Sequence, residues 1–589
     1  MTYCVISWLL RSTHYAIEIL MRGRVTRSEW RWVLIWIAVA LIVTSVPYLV
    51  GWLRSTPDRV FGGFAFAIED GYSYLSKMKQ GAEGLWLFQL PYTSETHTPA
   101  ILYLFYLLLG KFSAVTGLSA PLVFHLARLL FDALLLAVIY YFMALFTAWR
   151  SVRRIAFLLI VFSGGLGWLL ILLGQGNWLD SAPIDLISPE AYTFLILYGF
   201  PHLALARTLM LLGLIALWKN PEARILNAAV AGICWLGMGL LVPFYVAVAG
   251  AIVLAGLIAE ALVARQIIWR ALGLAALAGL IAAPPLIYTF IIVALDPVWR
   301  VWADQLVILS PHPLHYALGY ALVGLLAVVG IVKTWKRRVV DPKLIGWLIA
   351  VPFLIYVPFN SQRRLIESWQ IPLAFSAAIG LVYVVLPAWS RSRMAKRLTQ
   401  HRRYTARGLR SWLLAGILLL SATTYALMLV EQTARIIARV ELGFRDGAEL
   451  AALRWLDARV TYDDVVLSSY NTGNFLPAVV GAKAFLGHGP ETAYSDEKRQ
   501  LVRQFYAAGT PDEWRREFLR QWPITYVFFG PLEQKVGQFD PAQAAYLTLV
   551  YDRDGYRIYR VNIPVSLNGQ HRQTEVHCPH SANRDETSS

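Results

Sequence analysis

The chain has 589 residues, of which 57% are hydrophobic and only 15% are charged, whereas an average soluble domain has about 25% charged residues. This composition excludes a protein that folds in water alone. The net charge of +16 does not point to a nucleic-acid partner, because the Lys and Arg residues cluster in short segments between apolar stretches, where they orient membrane helices.

Apolar stretches long enough to cross a bilayer recur along most of the chain after the N-terminal segment 1–32. Basic clusters separate them, and by the positive-inside rule these clusters face the cytoplasm. They are residues 22–31, 150–154, 219–224, 265–270, 333–343 and 391–410, the last with eight Lys/Arg and no acid. Fitting spans between the clusters predicts a polytopic α-helical membrane protein with about eleven transmembrane helices, at 33–53, 121–147, 154–174, 191–218, 225–242, 244–263, 271–294, 314–333, 344–359, 368–388 and 411–431.

This fit places residues 33–431 in a transmembrane domain of the plasma membrane, with the N-terminus in the cytoplasm. It requires the apolar residues 100–114 to lie in the outer interface, because they are too few for a span. Residues 54–120 then form one long external loop. Shorter external loops follow near 174–190, 296–313 and 360–367.

The composition of the chain changes after the last span, and residues 441–563 are predicted to form an extracytoplasmic α/β domain. The pattern predicts a helix over 450–458 and strands over 465–469 and 526–530. A hairpin is expected over 547–561, because Asp554-Gly555 is a strong two-residue turn signal. The polar tail 564–589 has too little apolar surface to fold and is expected to be disordered.

The acids Glu69 and Asp70 begin a predicted helix shortly after the first span. On that helix Asp70, Tyr74 and Lys77 are spaced i, i+4 and i+7, which places an acid, a phenol and an ammonium on one face. The alternative is an acidic helix start favoured by the helix dipole. The pattern alone does not decide between a catalytic and a structural acid.

His202 lies beside Pro201 within the fourth predicted span, where ionisable groups are costly and tend to line a cavity. It can contact substrate or serve as a hydrogen-bonded packing residue, and both interpretations stay open. Other His, Cys and acidic residues match no defined metal or disulfide spacing, so no metal ligand is assigned: Cys4, Cys234, Cys578, Asp296, Asp304, His312 and His315.

Three motifs follow one another in the first part of the chain: Glu69-Asp70 just beyond the first helix, His97-Thr98-Pro99 leading into an apolar run, and Leu109-Gly110 followed by Ala120-Pro121-Leu122 and Arg128-Leu129. Together they resemble the GT-C membrane glycosyltransferases, notably the protein O-mannosyltransferase and aminoarabinose transferase group. The resemblance covers roughly residues 60–170. Beyond them it is one of architecture, with many helices followed by an external domain.

The resemblance implies an inverting glycosyltransferase that moves a hexosyl or pentosyl group from a polyprenyl-phosphate-linked donor at the outer membrane face. In such enzymes an acid of the first external loop is the general base, and by position Asp70 is the first candidate here and Glu69 the second. His97 stands in a His-Thr-Pro step where relatives have Lys-Pro-Pro or His-Pro-Pro. A structural role is therefore the alternative to substrate binding for His97.

A departing lipid phosphate needs cations at the membrane surface. Arg363 and Arg364 stand in a short predicted external loop, against the orientation bias, and Arg suits bidentate phosphate contact. The alternative is a pair of snorkelling interfacial arginines. The full set of predicted substrate-binding or phosphate-binding residues is Arg363, Arg364, His97, Lys77, Tyr74 and His202.

Two other functions remain possible from the sequence. One is a transporter or flippase for a lipid-linked substrate, and the other is a non-catalytic protein of cell-envelope assembly. Membrane lipids and a lipid-linked sugar are the expected partners. Some relatives of the family bind a divalent metal, and the acceptor, whether protein, lipid or polysaccharide, is not readable.

Overall fold

The computed structural model describes residues 23–219, 224–337, 339–400, 404–439 and 443–564. Most of the predicted N-terminal segment, residues 565–589 of the predicted tail, and both Cys4 and Cys578 lie outside the described residues. The chain divides into two compact units. The larger unit takes residues up to Gly71, Gln80–Gln89 and His97–Phe444, and the smaller takes Tyr72–Lys79, Leu90–Thr96 and the chain from Arg445 onward.

Helices make up most of the chain before the C-terminal region. In chain order they are α1 (Arg27–Arg54), α2 (Ile68–Ala82), α3 (Leu104–Thr116), α4 (Ala120–Ala144), α5 (Arg150–Phe162), α6 (Gly167–Leu172), α7 (Ile184–Ile187), α8 (Thr193–Gly199), α9 (Pro201–Trp218), α10 (Ile225–Leu241), α11 (Tyr245–Ala264), α12 (Trp269–Ala282), α13 (Pro284–Leu295), α14 (Pro297–Gln305), α15 (Pro313–Gly319), α16 (Ala321–Thr334), α17 (Pro342–Leu354), α18 (Gln370–Gly380), α19 (Leu386–Arg391), α20 (Arg393–Gln400) and α21 (Ala406–Ile437). A π-helical segment, Leu381–Val385, joins α18 to α19, and 3₁₀ turns occupy Trp178–Asp180, Trp335–Arg337 and Gln362–Ile366.

Seven helical segments of the described chain are long and apolar enough to cross a bilayer, and nine spans result if each of two bent helix pairs crosses as one. The predicted spans 225–242 and 344–359 correspond to the shorter apolar helices α10 and α17. Most of the apolar residues 100–114 fall in the short helix α3, which ends at Thr116. A multi-pass helical protein is thereby confirmed.

Several predicted spans are interrupted. The span predicted at 191–218 breaks at Phe200 into α8 and α9, because Pro201 has no N–H to continue the ladder. Helices α12 and α13 bend by 47° at Ala283, and α15 and α16 bend by 83° at Tyr320. At the second bend Gly319 permits close packing, since a Cβ there would lie 2.4 Å from Ile184.

A buried arginine joins three helices inside the larger unit. Arg128 on α4 donates to Thr44 Oγ1 at 3.3 Å and Ser45 Oγ at 2.8 Å, both on α1, and to Leu197 O on α8 at 2.9 Å. Its guanidinium lies 3.9 Å from the buried carboxylate of Asp132. Because a buried charge is costly without partners, this cluster restricts how α1, α4 and α8 can pack.

The smaller unit contains a five-stranded sheet whose strands lie in the order β4 (Lys483–Ala484), β3 (Val465–Leu467), β5 (Tyr526–Phe529), β7 (Tyr556–Val561) and β6 (Leu547–Arg553). The predicted strands and hairpin are confirmed, and Asp554 and Gly555 adopt positive φ angles of 50° and 82° in the hairpin turn. Strands β3, β4 and β5 are parallel, and β7 pairs antiparallel with β5 and β6. The strands along the chain are β1 (Arg59–Phe61), β2 (Phe444–Asp446), β3 (Val465–Leu467), β4 (Lys483–Ala484), β5 (Tyr526–Phe529), β6 (Leu547–Arg553) and β7 (Tyr556–Val561). Helices α22 (Gly447–Asp457), α23 (Tyr470–Val479), α24 (Ser495–Tyr506), α25 (Asp512–Gln521) and α26 (Pro531–Val536) surround the sheet, with 3₁₀ turns at Gly489–Glu491 and Pro541–Gln543.

Two distant chain segments complete the smaller unit. Pro91 O accepts a hydrogen bond from Ala484 N at 2.8 Å, and Tyr92 OH donates to Asn474 O at 3.0 Å. Gly487 packs so closely on Tyr92 that a Cβ at this glycine would lie 2.4 Å from the ring. Residues that the sequence assigned to the first external loop are thus part of the core of this unit.

Candidate functional site

The acids Glu69 and Asp70 lie in the first turn of α2, and both are half-buried. Two features constrain this helix start. Ala67 has a φ of 47°, a left-handed conformation that is uncommon for a residue with a Cβ. Gly71 lies against Phe64, and a Cβ at Gly71 would come within 2.3 Å of that ring. The predicted base is therefore carried by a helix start of closely defined geometry.

An aromatic path connects this helix start to His202. Phe64 packs edge-on against Phe124 with ring centroids 5.0 Å apart, and Phe124 stacks on Tyr106 at 6.3 Å. Tyr106 OH lies 2.7 Å from His202 Nδ1. This hydrogen bond supports the packing interpretation of His202, and substrate contact by His202 stays a prediction.

Helix α9 carries a second ionisable residue, Arg207, five positions after His202, which is about 7.5 Å along the helix axis. The Arg207 guanidinium pairs with Glu367 at 2.5 and 3.1 Å, and both side chains are fully buried. It also donates to Thr193 Oγ1 at 3.0 Å and to Glu190 O at 2.6 Å. The first two turns of α9 thus connect the aromatic path from α2 to the loop that contains Glu367.

The same loop contains the paired arginines, and the structure gives them different surroundings. Arg364 Nε donates to Glu190 Oε1 at 2.6 Å, and its guanidinium lies 5.3 Å from the centre of the Phe244 ring. Ser368, with a φ of 62°, donates its N–H to Glu190 O at 3.3 Å. Arg364 therefore ties the loop to Glu190, and phosphate binding by Arg364 stays a prediction.

Arg363 instead lines a polar pocket formed by three loops. These are the three shorter loops that the sequence places on one side of the membrane. The loop at 306–312 pairs with the loop at 360–363 through Ile308 N to Asn360 O at 2.7 Å and Arg363 N to Ile308 O at 3.2 Å. Residues 179–181 supply the third wall. Segments far apart in sequence thus converge at one pocket.

The pocket has the features of an anion site. The Nε atom of Arg363 is buried and has no hydrogen-bond partner among the described residues. Burial lowers the pKa of this guanidinium, yet arginine stays charged at neutral pH. Leu179 and Asp180 both have left-handed φ angles, of 48° and 58°, which is strained backbone of the kind found at binding sites. The cavity volume is about 430 Å³, and the lining residues are Leu179, Asp180, Ser181, Val307, Ile308, Leu309, Ser310, Pro311, His312 and Arg363.

An apolar groove adjoins the polar pocket along α15. Ser310, in the wall of the polar pocket, has its Oγ 2.9 Å from Tyr316 OH, and Tyr316 lines the groove. The groove follows the 83° bend between α15 and α16. Its volume is about 410 Å³, and it is lined by Tyr316, Ala317, Tyr320, Ala321, Gly324, Leu325, Ala327, Val328, Ile331, Leu348, Trp369 and Leu373.

His97 lies against the start of α14. Its ring is edge-on to Trp299 with centroids 5.7 Å apart, and Trp299 Nε1 donates to Thr98 O at 2.8 Å. Asp296 accepts from Thr98 N at 2.8 Å and caps α14. Burial raises the pKa of Asp296, but the hydrogen bonds outweigh burial and the pKa lies below its ordinary value. These contacts favour the structural role for His97, and substrate binding by it stays a prediction.

The His and Asp residues that were weighed as metal ligands have separate roles. Asp304 is exposed, the His312 side chain accepts from Leu314 N at 3.3 Å, and His315 Nε2 lies 2.7 Å from Trp178 O. Within the described ranges no group of three or more His, Cys, Asp or Glu side chains is placed to hold a metal ion. Among the described residues, Asp304, His312 and His315 are thus not gathered into one ligand set.

Lys77 and Tyr74 belong to the smaller unit. The Lys77 ammonium is fully buried and lies 2.8 Å from Glu491 Oε1 and 2.5 Å from Ser73 Oγ. It also lies 5.9 Å from the centre of the half-buried Tyr74 ring. A buried ammonium held in this way would have to leave Glu491 to bind a phosphate. Substrate binding by either residue stays a prediction.

Sequence reasoning missed the residues that build the pocket around Arg363. Glu190 and Glu367 hold the arginine-containing loop, and Ser310 and Tyr316 connect the pocket to the groove. One signal was available, because Arg207 stands inside a predicted span and a charge there requires a buried partner. The identity of that partner, 160 residues away, could not be read.

No family model and no curated relative matches the chain. Among solved structures, the arabinofuranosyltransferase AftD from Mycobacteria is 15% identical with a TM-score of 0.52, over 92% of this chain and 40% of that chain. The archaeal oligosaccharyltransferase AglB from Archaeoglobus fulgidus, in complex with an inhibitory peptide and a dolichol-phosphate, is 14% identical with a TM-score of 0.50, over 92% and 76%. ArnT from Cupriavidus metallidurans, bound to undecaprenyl phosphate, is 15% identical with a TM-score of 0.46, over 90% and 98%. At these identities the likeness is one of fold.

Proposed function

We propose that this chain, whose fold is that of the GT-C membrane glycosyltransferases, is an inverting glycosyltransferase that uses a polyprenyl-phosphate-linked sugar. The observation that carries the proposal is the buried Nε of Arg363, which has no hydrogen-bond partner among the described residues. It lies in a polar pocket beside an apolar groove. The transferred group is a hexosyl or pentosyl unit, and the acceptor is left unassigned.

The donor's phosphate binds at Arg363. A guanidinium with an open Nε can donate two parallel hydrogen bonds to a phosphate, and a water-poor site strengthens them. Arg364 and Glu190 keep the loop in place, because their 2.6 Å contact fixes the residue next to Arg363. Asp180, on the opposite loop, supplies an acceptor for sugar hydroxyls.

The first part of the donor's isoprenoid chain occupies the groove along α15 and α16. The groove is apolar, follows a helix bend and adjoins the polar pocket through the contact between Ser310 and Tyr316. A lipid phosphate matches this arrangement, because its anionic phosphate is followed by a hydrocarbon chain. AglB, which shares the fold, has been solved with a dolichol-phosphate, and this supports a donor of the same class here.

Asp70 is the proposed general base. An acceptor hydroxyl or amide loses its proton to the carboxylate while its oxygen or nitrogen attacks the anomeric carbon. The bond from that carbon to the phosphate oxygen breaks, and the electron pair leaves with the polyprenyl phosphate, whose charge Arg363 stabilises. A single displacement inverts the anomeric configuration. The proposal places this chemistry at the extracytoplasmic face. By the positive-inside rule the basic clusters of the sequence mark the cytoplasmic loops, and the loops of the site lie at the other ends of the spans.

The Asp70→Asn variant tests the assignment of the base. We expect it to insert and fold normally and to lose transfer by about 10²-fold to 10⁴-fold in kcat, the usual contribution of a general base. Donor binding should change little. The measurement is transfer of labelled sugar from a polyprenyl-phosphate donor in proteoliposomes, with donor binding followed separately.

Glu69→Gln is the matched control, because Glu69 shares the same helix turn and the same half-buried environment. Normal transfer by the Asp70 variant together with loss in the Glu69 variant would move the base to Glu69. Normal transfer by both would show that neither carboxylate is the base, and absence of transfer by the unmodified chain would reject the enzymatic proposal. Donor movement across the bilayer without any transfer would instead indicate a flippase.

A further inference from the structure

Helix α20 is a short, strongly two-sided helix between two membrane-spanning segments. Its charged residues Arg393, Lys396 and Arg397 fall on one side, and Met394 and Leu398 fall on another at i, i+4 spacing. The three basic side chains are exposed, and Met394 is 60% exposed. An amphipathic helix of this kind is suited to the boundary between lipid headgroups and hydrocarbon.

The chain on both sides of α20 fixes it close to the ends of two spans. The segment Gln370–Arg391 ends one residue before it, and Ala406–Ile437 follows it; both are long and apolar enough to cross a bilayer. Ser392 forms the corner, accepting from Ala395 N at 3.1 Å through its hydroxyl. Arg410 Nε at the start of α21 donates to Ser390 Oγ at 2.5 Å, which ties the two spans together beside α20.

The basic side chains on and near α20 have no acidic partners within the described part of the chain. None of Arg393, Lys396, Arg397 and Arg407 forms an ion pair with a described residue, and all four are exposed or half-exposed. The sequence from 391 to 410 contains eight Lys/Arg and no acid. The cluster adjoins the ends of two apolar spans, where basic residues are expected to meet lipid headgroups.

We propose that α20 and its flanking arginines form a binding surface for anionic phospholipid headgroups. Met394 and Leu398 enter the interface, while Arg393, Lys396 and Arg397 contact the phosphates. Each basic residue at an anionic surface strengthens binding roughly fivefold, and several next to a membrane helix form a lipid-specific site. The surface shares no residue with the lining of the pocket at Arg363, and the proposal does not depend on glycosyl transfer.

The experiment uses the full-length protein, purified in neutral detergent and titrated with phosphatidylglycerol or phosphatidylcholine. Retained lipid is counted by native mass spectrometry, and the thermal midpoint is followed in parallel. We expect phosphatidylglycerol to bind selectively and to raise the midpoint, with binding that weakens as salt is added. The triple variant Arg393→Gln, Lys396→Gln, Arg397→Gln should bind phosphatidylglycerol at least tenfold more weakly.

The matched control is Arg503→Gln, Arg516→Gln, Arg520→Gln, which removes the same charge from exposed positions of the smaller unit. It should bind phosphatidylglycerol like the unmodified chain. Equal binding of the two lipids, or equal loss in both triple variants, would overturn the proposal. If the first triple variant does not fold, Arg393→Lys, Arg397→Lys replaces it; this variant keeps the charge and must keep phosphatidylglycerol selectivity.

Discussion

At the scale of single residues, the paired arginines show that neighbours in sequence can have different tasks. Arg364 is committed to Glu190 at 2.6 Å, whereas Arg363 lines the polar pocket with its Nε unpartnered among the described residues. The sequence left phosphate binding and snorkelling equally open for both. The placement favours an anion for Arg363 and a supporting role for Arg364.

Replacing Arg363 should weaken donor binding, because the guanidinium already contacts the phosphate of the bound donor, and it should also slow turnover, because the leaving phosphate loses its counter-charge. Charge-assisted hydrogen bonds are worth about 1.5–3 kcal/mol each, so Arg363→Gln should raise the KM for the lipid-linked donor roughly 10-fold to 100-fold. Arg363→Lys should recover part of this loss, because it restores the charge but not the two-pronged geometry. Steady-state kinetics with the donor as the varied substrate provide the measurement.

The exposed Arg300 on α14 provides the control for this prediction. Arg300→Gln removes the same charge from a neighbouring loop region and should leave the KM unchanged. A KM that rises equally in the Arg300 and Arg363 variants would mean that general surface charge, and not the pocket, attracts the donor.

Single residues also show where sequence reasoning stops. The i, i+4, i+7 spacing correctly placed Asp70, Tyr74 and Lys77 along one helix, but spacing cannot reveal which part of a face is covered. Lys77 is fully buried against Glu491, 414 residues further along the chain. Burial by so distant a segment is a tertiary fact, and local periodicity does not contain it.

At the scale of elements, helix α2 is held by a buried polar cluster in its middle. Lys77 Nζ and Ser73 Oγ both contact Glu491 Oε1, at 2.8 and 2.6 Å. Removing one member of a buried ion pair leaves an uncompensated charge, whereas removing both can cost little. The cluster thus makes the position of this helix sensitive to single changes.

We expect each of the single variants, Lys77→Met and Glu491→Gln, to be more destabilising than the double variant that carries both changes. A single loss from a buried pair costs about 3–5 kcal/mol, which lowers the thermal midpoint by several degrees. Tryptophan fluorescence of the purified full-length protein on heating measures the effect. The exposed pair Arg520 and Glu517, with half of each side chain exposed, is the control, and its removal should have little effect. Additive losses at Lys77 and Glu491 would show that the two side chains are not coupled.

The sequence predicted some helices and turns correctly but missed breaks within the apolar helices. Long apolar helices and the hairpin turn at Asp554-Gly555 follow from local chemistry, and the structure has them. The breaks at Ala283 and Tyr320 were not anticipated, because a bend inside an apolar stretch leaves the mean hydropathy unchanged. The break before Pro201 was signalled by the proline itself.

At the scale of the whole molecule, the smaller unit is assembled from three separate parts of the chain. Lys498 on α24 lies 2.7 Å from Glu95, and both are buried. Burial raises the pKa of Glu95, but the Lys498 ammonium and a hydrogen bond from Thr93 lower it by more than burial raises it. The pKa therefore lies below its ordinary value of 4.5. Composition could not predict that residues 90–96 belong to this unit, because the contacts join positions about 400 apart.

This shift predicts an acid-dependent stability. Because the Glu95 carboxyl has a lower pKa folded than unfolded, its contribution is complete above about pH 5 and is lost as the pH falls through the folded pKa. The thermal midpoint of the smaller unit's transition should be flat from neutral pH to about pH 5 and then decline. Glu95→Gln should lower the midpoint at neutral pH and flatten the decline, whereas the exposed Glu517→Gln should do neither. An unchanged acid profile in the Glu95 variant would contradict this account.

The sharp bend between α15 and α16 has one more consequence. If the donor's chain occupies the groove at this bend as proposed, a volume of about 410 Å³ holds only the start of a long prenyl tail. Carriers that differ in the number of isoprene repeats would then bind with similar affinity, since the remaining repeats stay in the lipid. Discrimination among donors would rest with the sugar and its phosphate.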